Sequence, residues 1–223
     1  MSERWIRRFT PLQQAGHWIF ALAFILTMIT GAFLYVPAFA AYAIGLAGEA
    51  SRFLHRLGAA GLFFAVLLYA LFGLPLLIRD MREVFSFNAG DRKWLATAPW
   101  RYYWTGDRTG LPEEGRYNPG QKLTYRIQVV GFVVLAVTGL IMWLGVGLVP
   151  AGLLQASLIL HDIAFLVVTG FFFVHLYLST LHPLTKPSIT AMVTGEVTEE
   201  YARKHHPRWY REVTEGAGSG QST

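Results

Sequence analysis

Four stretches of the chain, near residues 16–36, 57–78, 127–149 and 153–178, are almost free of charge, and each is close to the ~20 residues a helix needs to cross the hydrocarbon of a bilayer. In lipid the backbone must satisfy its own hydrogen bonds, and a single run of this length does so as an α-helix. The chain as a whole agrees, with 53% hydrophobic residues and only 15% charged ones, against about 25% charged in soluble domains. The fold class read from this is all-α, an integral membrane four-helix bundle. It is a single membrane domain over 1–223, with transmembrane helices at about 16–36, 54–78, 124–149 and 153–179, a loop at 79–123 and a tail at 180–223. The first run is too long, and too poorly matched to a small-residue cleavage site, for a removable signal peptide, and is expected to stay in the mature protein.

Orientation follows from the basic residues. Of the 19 Lys and Arg, Arg4, Arg7 and Arg8 precede the first run, nine lie between Arg79 and Arg126, and five follow the fourth run; only Arg52 and Arg56 fall on the other side. Short basic flanks stay in the cytoplasm, so both termini and the central loop are expected inside, with the connections near 37–54 and 150–152 outside. The net charge of +5 is then an orientation signal with affinity for anionic membrane lipid, and no nucleic-acid partner is expected, because the basic residues form no reading motif. The absence of cysteine excludes disulfides, thiolate nucleophiles, cysteine-bound iron–sulfur clusters and covalent c-type haem. No phosphate-binding loop or dinucleotide fingerprint stands in a strand-to-helix context.

Ionisable residues at membrane depth are costly and tend to mark ion paths, proton relays or cofactors. His17 and His55 open the first two runs, and His161 and His175 lie fourteen residues apart in the fourth. At about 1.5 Å and 100° per residue, that interval separates the two imidazoles by roughly 21 Å along the axis and rotates them only about 40° out of line. With the inferred topology, His17 and His175 share the inner depth, and His55 and His161 the outer one. Two histidines per level suit a porphyrin iron, which takes four nitrogens from its ring and two axial ligands from the protein. The pattern therefore reads as two b-type haems stacked across the membrane. Taken singly, each histidine is also explained as an interhelical hydrogen-bonding partner; the joint geometry favours haem. His182, His205 and His206 are read instead as interfacial or solvated.

Weaker signals accompany these. Gly31 falls near the outer histidine pair, and Gly73 lies on the His55 face toward the inner level; both offer room for a flat macrocycle, or equally for close helix packing. Thr30-Gly31 ahead of Pro37 and Thr138-Gly139 ahead of Pro150 hint at a relation between the two helix pairs. The tryptophans, Trp94, Trp100 and Trp104 among them, read as anchors at the headgroup level. The central loop is expected to be irregular apart from a short surface helix near Asp91–Ala98. Its end, Tyr117-Asn118-Pro119-Gly120-Gln121-Lys122, brings amide and ammonium groups to the inner end of the third helix, where a quinone headgroup would need such partners.

Gly16-His17-Trp18, Leu54-His55, Arg116 to Lys122, Leu160-His161, His175-Leu176-Tyr177 and Lys204 to Glu212 together resemble the gamma, cytochrome b, subunit of respiratory formate dehydrogenases. The likeness spans essentially the whole chain. It implies haem iron axial ligands His17, His55, His161 and His175, and a quinone site that includes Asn118 and Gln121 with His175 beside it. The resemblance also implies partners: an iron–sulfur (beta) subunit, a molybdenum or tungsten catalytic (alpha) subunit that oxidises formate, and a complex open to further oligomerisation. It further implies the bacterial inner membrane as the setting and menaquinone or ubiquinone as the substrate. The same bundle would also fit the cytochrome b of a membrane-bound hydrogenase or another quinone-linked dehydrogenase. Readings from other classes are a proton-coupled transporter with a histidine relay, for which the helices offer few acidic or amide partners beyond Asp162 and Gln155, and a haem-free membrane anchor.

Overall fold

A computed structural model describes residues 3–218. The order is strand β1 (Trp5–Arg7), α1 (Pro11–Tyr35), a 3-10 segment (Pro37–Tyr42), α2 (Gly45–Phe85), α3 (Ala89–Thr97), α4 (Tyr102–Thr105), α5 (Pro119–Leu144), α6 (Ala151–Thr180), α7 (Ser188–Thr194), β2 (Glu196–Thr198), α8 (Glu199–His205) and α9 (Pro207–Gly218). Helices α1, α2, α5 and α6 are long and apolar enough to cross a membrane.

The long helices do not stop where the apolar runs stop. Helix α2 has 41 residues, because its polar ends, with Glu49 and Arg52 before the apolar run and Arg79 to Glu83 after it, continue the helical backbone; hydropathy reports where lipid would lie, not where the helix ends. At Gly73 the dihedrals leave the helical region (φ −137°, ψ 26°), two residues before Pro75. Proline has no N–H for the preceding turn and crowds it. A methyl group on Gly73 would press on Leu12 and Tyr69 at 2.8 Å. Gly73 thus serves a kink and close packing. Helix α5 begins at Pro119, earlier than the apolar pattern implies, because Asn118 and Gln121 cap it: Asn118 Oδ1 accepts from the Gln121 amide at 2.8 Å, and Gln121 Oε1 accepts from the Asn118 amide at 3.0 Å. This is a reciprocal capping box with proline in the first helical position, where its missing N–H is no loss.

Contacts divide the chain into two compact units. One gathers the segments up to Thr10, from Ile78 to Arg126 and from Val174 on; the other holds Pro11–Leu77 and Ile127–Phe173. The first, the polar unit, has a core of Phe9, Ala191, Val197, Ala202 and Trp209 and a second cluster of Trp94, Ala98 and Tyr102. Strands β1 and β2 pair antiparallel within it, Ile6 opposite Val197. Gly195, at φ 82°, ends α7 in the left-handed conformation that glycine adopts without strain. The Gly195 carbonyl accepts from the amides of Arg8 and Phe9 at 2.8 and 3.1 Å. Residues 5–7 and 196–198 therefore lie on one side of any membrane the four helices span, as an even number of crossings requires.

The polar unit corrects three expectations. His182, His205 and His206 are buried, not solvated. His182 Nε2 lies 3.0 Å from the Tyr103 carbonyl, His205 Nδ1 3.0 Å from the Tyr102 hydroxyl, and His206 Nδ1 2.8 Å from the Gly115 carbonyl. Their basic neighbours suggested solvent, yet each ring finds a partner about a hundred or fewer residues away and packs on tyrosines or Trp209. Trp94 is not an interfacial anchor: it is 1% exposed and donates Nε1–H to Glu114 Oε1 at 2.6 Å, while Arg108 pairs with Oε2. Lys122 is not a free ammonium: buried, it reaches Asp91 at 3.3 Å and the Ser86 carbonyl at 3.2 Å.

Candidate functional site

In the apolar unit, α2 and α6 bring the rings of His55 and His161 together edge-on, with centroids 6.2 Å apart and planes inclined at 60°. His55 Nδ1 lies 3.1 Å from Thr30 Oγ1 and 3.1 Å from the Thr27 carbonyl. His161 Nδ1 lies 2.9 Å from Thr138 Oγ1. With both Nδ1 atoms engaged, the Nε2 atoms are the nitrogens left to bind a metal.

The spacing can be tested against a ligand pair. A metal to imidazole-nitrogen bond is about 2 Å, and a ring centre lies about 1 Å behind its nitrogen, so one metal held between two facing rings puts their centres roughly 6 Å apart. The observed 6.2 Å matches. Among the described residues no group of three or more His, Cys, Asp or Glu could hold a bare ion. Two imidazoles alone suit a metal that brings its remaining ligands with it, as porphyrin iron does. Beside them is an apolar cavity lined by Phe20, Phe24, Met28, Leu62, Phe132 and Phe165 among others. Ligand pockets commonly have apolar walls and few polar groups. The residues fit a haem with two axial histidines.

The other expected residues are placed as follows. His17 lies on α1 in the apolar unit, its ring edge-on to Trp18 at 5.3 Å. His175 lies on α6 in the polar unit's share of that helix, its carbonyl accepting from Ser179 Oγ at 2.7 Å. Asn118 and Gln121 are brought together by the capping box, which uses both side-chain oxygens and leaves two amide NH2 groups, which can only donate. Around them, burial pushes the Tyr117 hydroxyl up to about 12, and burial raises the Glu114 carboxyl despite Arg108 beside it. Burial, helped by Arg108, pushes His205 down to about 4, and His206 is held well below its ordinary value for the same first reason.

Thr30 and Thr138 had no assigned role in the sequence reading. The available signal was the repeated Thr-Gly pair, 25 residues before His55 and 23 before His161.

The sequence profile of the family described as prokaryotic cytochrome b561 matches residues 8–195. The chain is 32% identical over 213 residues to the cytochrome b556(fdo) subunit of formate dehydrogenase from Escherichia coli K12, covering 93% of each chain. It is 32% identical over 214 residues to the formate dehydrogenase cytochrome b556 subunit of Haemophilus influenzae, covering 94% of this chain and 83% of the relative. With the nitrate-inducible cytochrome b556(Fdn) subunit from Escherichia coli K12 it shares 27% identity over 219 residues.

Proposed function

The chain belongs to the prokaryotic cytochrome b561 family, a multi-pass membrane protein of b-type haem, and from that premise we propose that it is the cytochrome b subunit of a membrane-bound formate dehydrogenase. In this reading it holds two haems b and carries electrons from an iron–sulfur subunit, fed by a molybdenum or tungsten catalytic subunit, across the bacterial inner membrane to quinone. The observation that carries the proposal is the approach of the His55 and His161 rings to 6.2 Å with Nδ1 of each ring engaged.

Haem b, held by histidines, would supply one-electron transfer. The chain's own residues do the rest. His55 and His161 would hold the outer haem, and His17 and His175 the inner one, a pairing supported by helical register and the charge-derived topology. The amide NH2 groups of Asn118 and Gln121 donate to the quinone, whose carbonyl oxygens can only accept. Basic flanks keep both termini and the 79–123 loop in the cytoplasm, so reduction near the inner level takes up cytoplasmic protons. Each electron moved inward works against the potential by about 2.3 kcal/mol per 100 mV, which stores part of the donor's reducing power as membrane energy.

The test is a reduced-minus-oxidised visible spectrum with haem quantification on the purified complex, titrated with formate and then quinone. Two haems b per copy of this chain, reduced by formate and reoxidised by quinone, are expected. Two haems that formate does not reduce would move the donor to a hydrogenase or another dehydrogenase, and a folded chain without haem would overturn the proposal.

A further inference from the structure

Resting on the reading that His55 and His161 are ligands, we propose that Thr30 and Thr138 are positioning residues of the outer haem: each threonine hydroxyl accepts the Nδ1–H of the histidine opposite and so presents its Nε2 to the iron. The direction of these hydrogen bonds is fixed by the other contacts each hydroxyl makes. Thr30 Oγ1 donates to the Leu26 carbonyl at 2.7 Å, and Thr138 Oγ1 to the Val134 carbonyl at 2.6 Å. A hydroxyl has one proton. With that proton held by its own helix, the oxygen can only accept from the imidazole, so Nδ1 carries the ring proton and Nε2 the lone pair.

The two sites repeat one another in detail. The residue three before each threonine also offers a backbone oxygen to the ring, Thr27 to His55 at 3.1 Å and Leu135 to His161. The residue after each threonine is glycine, and a methyl group there would stand 3.4 Å from Cε1 and 3.8 Å from Nδ1 of the facing ring, the same values at Gly31 and at Gly139. Each imidazole therefore lies against a small residue at ordinary van der Waals distance, with its Nδ1 edge fixed by the hydroxyl. Helix α1 does for the ligand on α2 what α5 does for the ligand on α6. An outer hydrogen-bond partner of this kind sets the tautomer and ring plane of a metal-binding histidine and raises its basicity, and losing it commonly lowers metal affinity about 10- to 100-fold.

A purely structural role predicts something different. Threonines in apolar helices often bond back to their own carbonyls and join helices through polar contacts. In that case removal would lower stability without touching the iron. The experiment therefore reads haem as well as fold. The complex is purified with T30V, T138V, T30S, T138S and, as a control, T97V, whose hydroxyl donates to the Lys93 carbonyl of its own helix away from the haem cavity. Haem per chain, the rate of haem loss to excess apo-globin, and the low-spin electron paramagnetic resonance signature are recorded. The two Val variants are expected to lose the outer haem about 10- to 100-fold faster than wild type and to shift its resonance, with Ser restoring both and T97V leaving them unchanged. If a Val variant does not accumulate, the Ala variant puts the same question with less crowding. Val or Ala variants that keep both haems at wild-type loss rates and an unshifted signature overturn the inference. H161L separates the two layers: if it retains both haems, the ligand reading itself is wrong, and if it loses one haem while T138V changes nothing, only the role of the threonines fails.

Discussion

In the polar unit, Lys122 is held by Asp91, Trp94 by Glu114, and His206 by the Gly115 carbonyl, all of them buried. In the apolar unit, His55 and His161 have one nitrogen each engaged by a threonine and, among the described residues, no hydrogen-bond partner at the other. The two regions use the same kinds of side chain to different ends. Where polar groups are dense, they satisfy one another and specify a fold; where they are sparse, the bonding capacity left over points to a ligand. A candidate site is better recognised by that residual capacity than by the number of polar residues near it.

This contrast can be broken at either end. The largest effect is expected from His161→Leu, which should remove one of two haems and abolish quinone-linked electron transfer while the polar unit stays folded; haem quantification and circular dichroism on the same sample check it. Next, Lys122→Met leaves the buried Asp91 carboxylate without its cation and should destabilise the protein by about 3–5 kcal/mol. Haem per folded chain should be unchanged, and adding Asp91→Asn should recover much of the loss in a thermal melt in detergent.

His205 gives a pH dependence. The unfolded chain binds a proton at this residue near pH 6.5, but the folded one not until about 4. The unfolded state therefore gains protons first, and stability falls as pH drops from about 6.5 to about 4, by up to about 3 kcal/mol, levelling off below. His206, depressed in the same direction, adds to this, whereas the raised Glu114 acts with the opposite sign, losing stability as pH rises through its folded value. The useful quantity is thus the difference between wild type and His205→Phe across that window, which should flatten in the variant. The smallest effect sharpens the comparison most. Asn118→Ala removes a cap and should lower stability by about 1 kcal/mol, but Asn118→Asp keeps the capping oxygen and loses only the NH2 group. If Asn118 serves quinone as well as the helix, Asp should raise the KM for quinone at unchanged stability; if it serves only the helix, Asp should be silent in both.

Much of this was legible in the sequence because lipid imposes a length scale and a penalty. Four apolar runs could only be helices, and a histidine inside one needed a reason, so the nearness of His55 to His161 was foreseeable from the topology. Helix ends were less legible, since α2 and α5 continue on polar residues that look like loop until their caps are seen. The polar unit was hardest. Tyr102 and His205 are 103 residues apart, His206 and Gly115 are 91 apart, and nothing local in a basic segment announces that its histidines will be enclosed. Thr30 and Thr138 fell between these cases. Their repetition was visible, but a hydroxyl that back-bonds to its own helix gives no sign of a second partner until the facing helix is in place.

The pairing of residues 5–7 with 196–198 has a consequence for how the chain is made. Some 190 residues separate the two strands, so at about 5–20 residues per second of synthesis the first waits roughly 10–40 s for its mate. During that interval Trp5, Ile6 and Arg7 have an unfilled strand edge, and Arg8 and Phe9 have no Gly195 carbonyl to donate to. The latch can close only when the segment after the fourth helix emerges on the same face of the membrane as the segment before the first. A copy in which one helix failed to insert would leave that clasp open, giving membrane quality control an exposed strand by which to tell unfinished copies from finished ones.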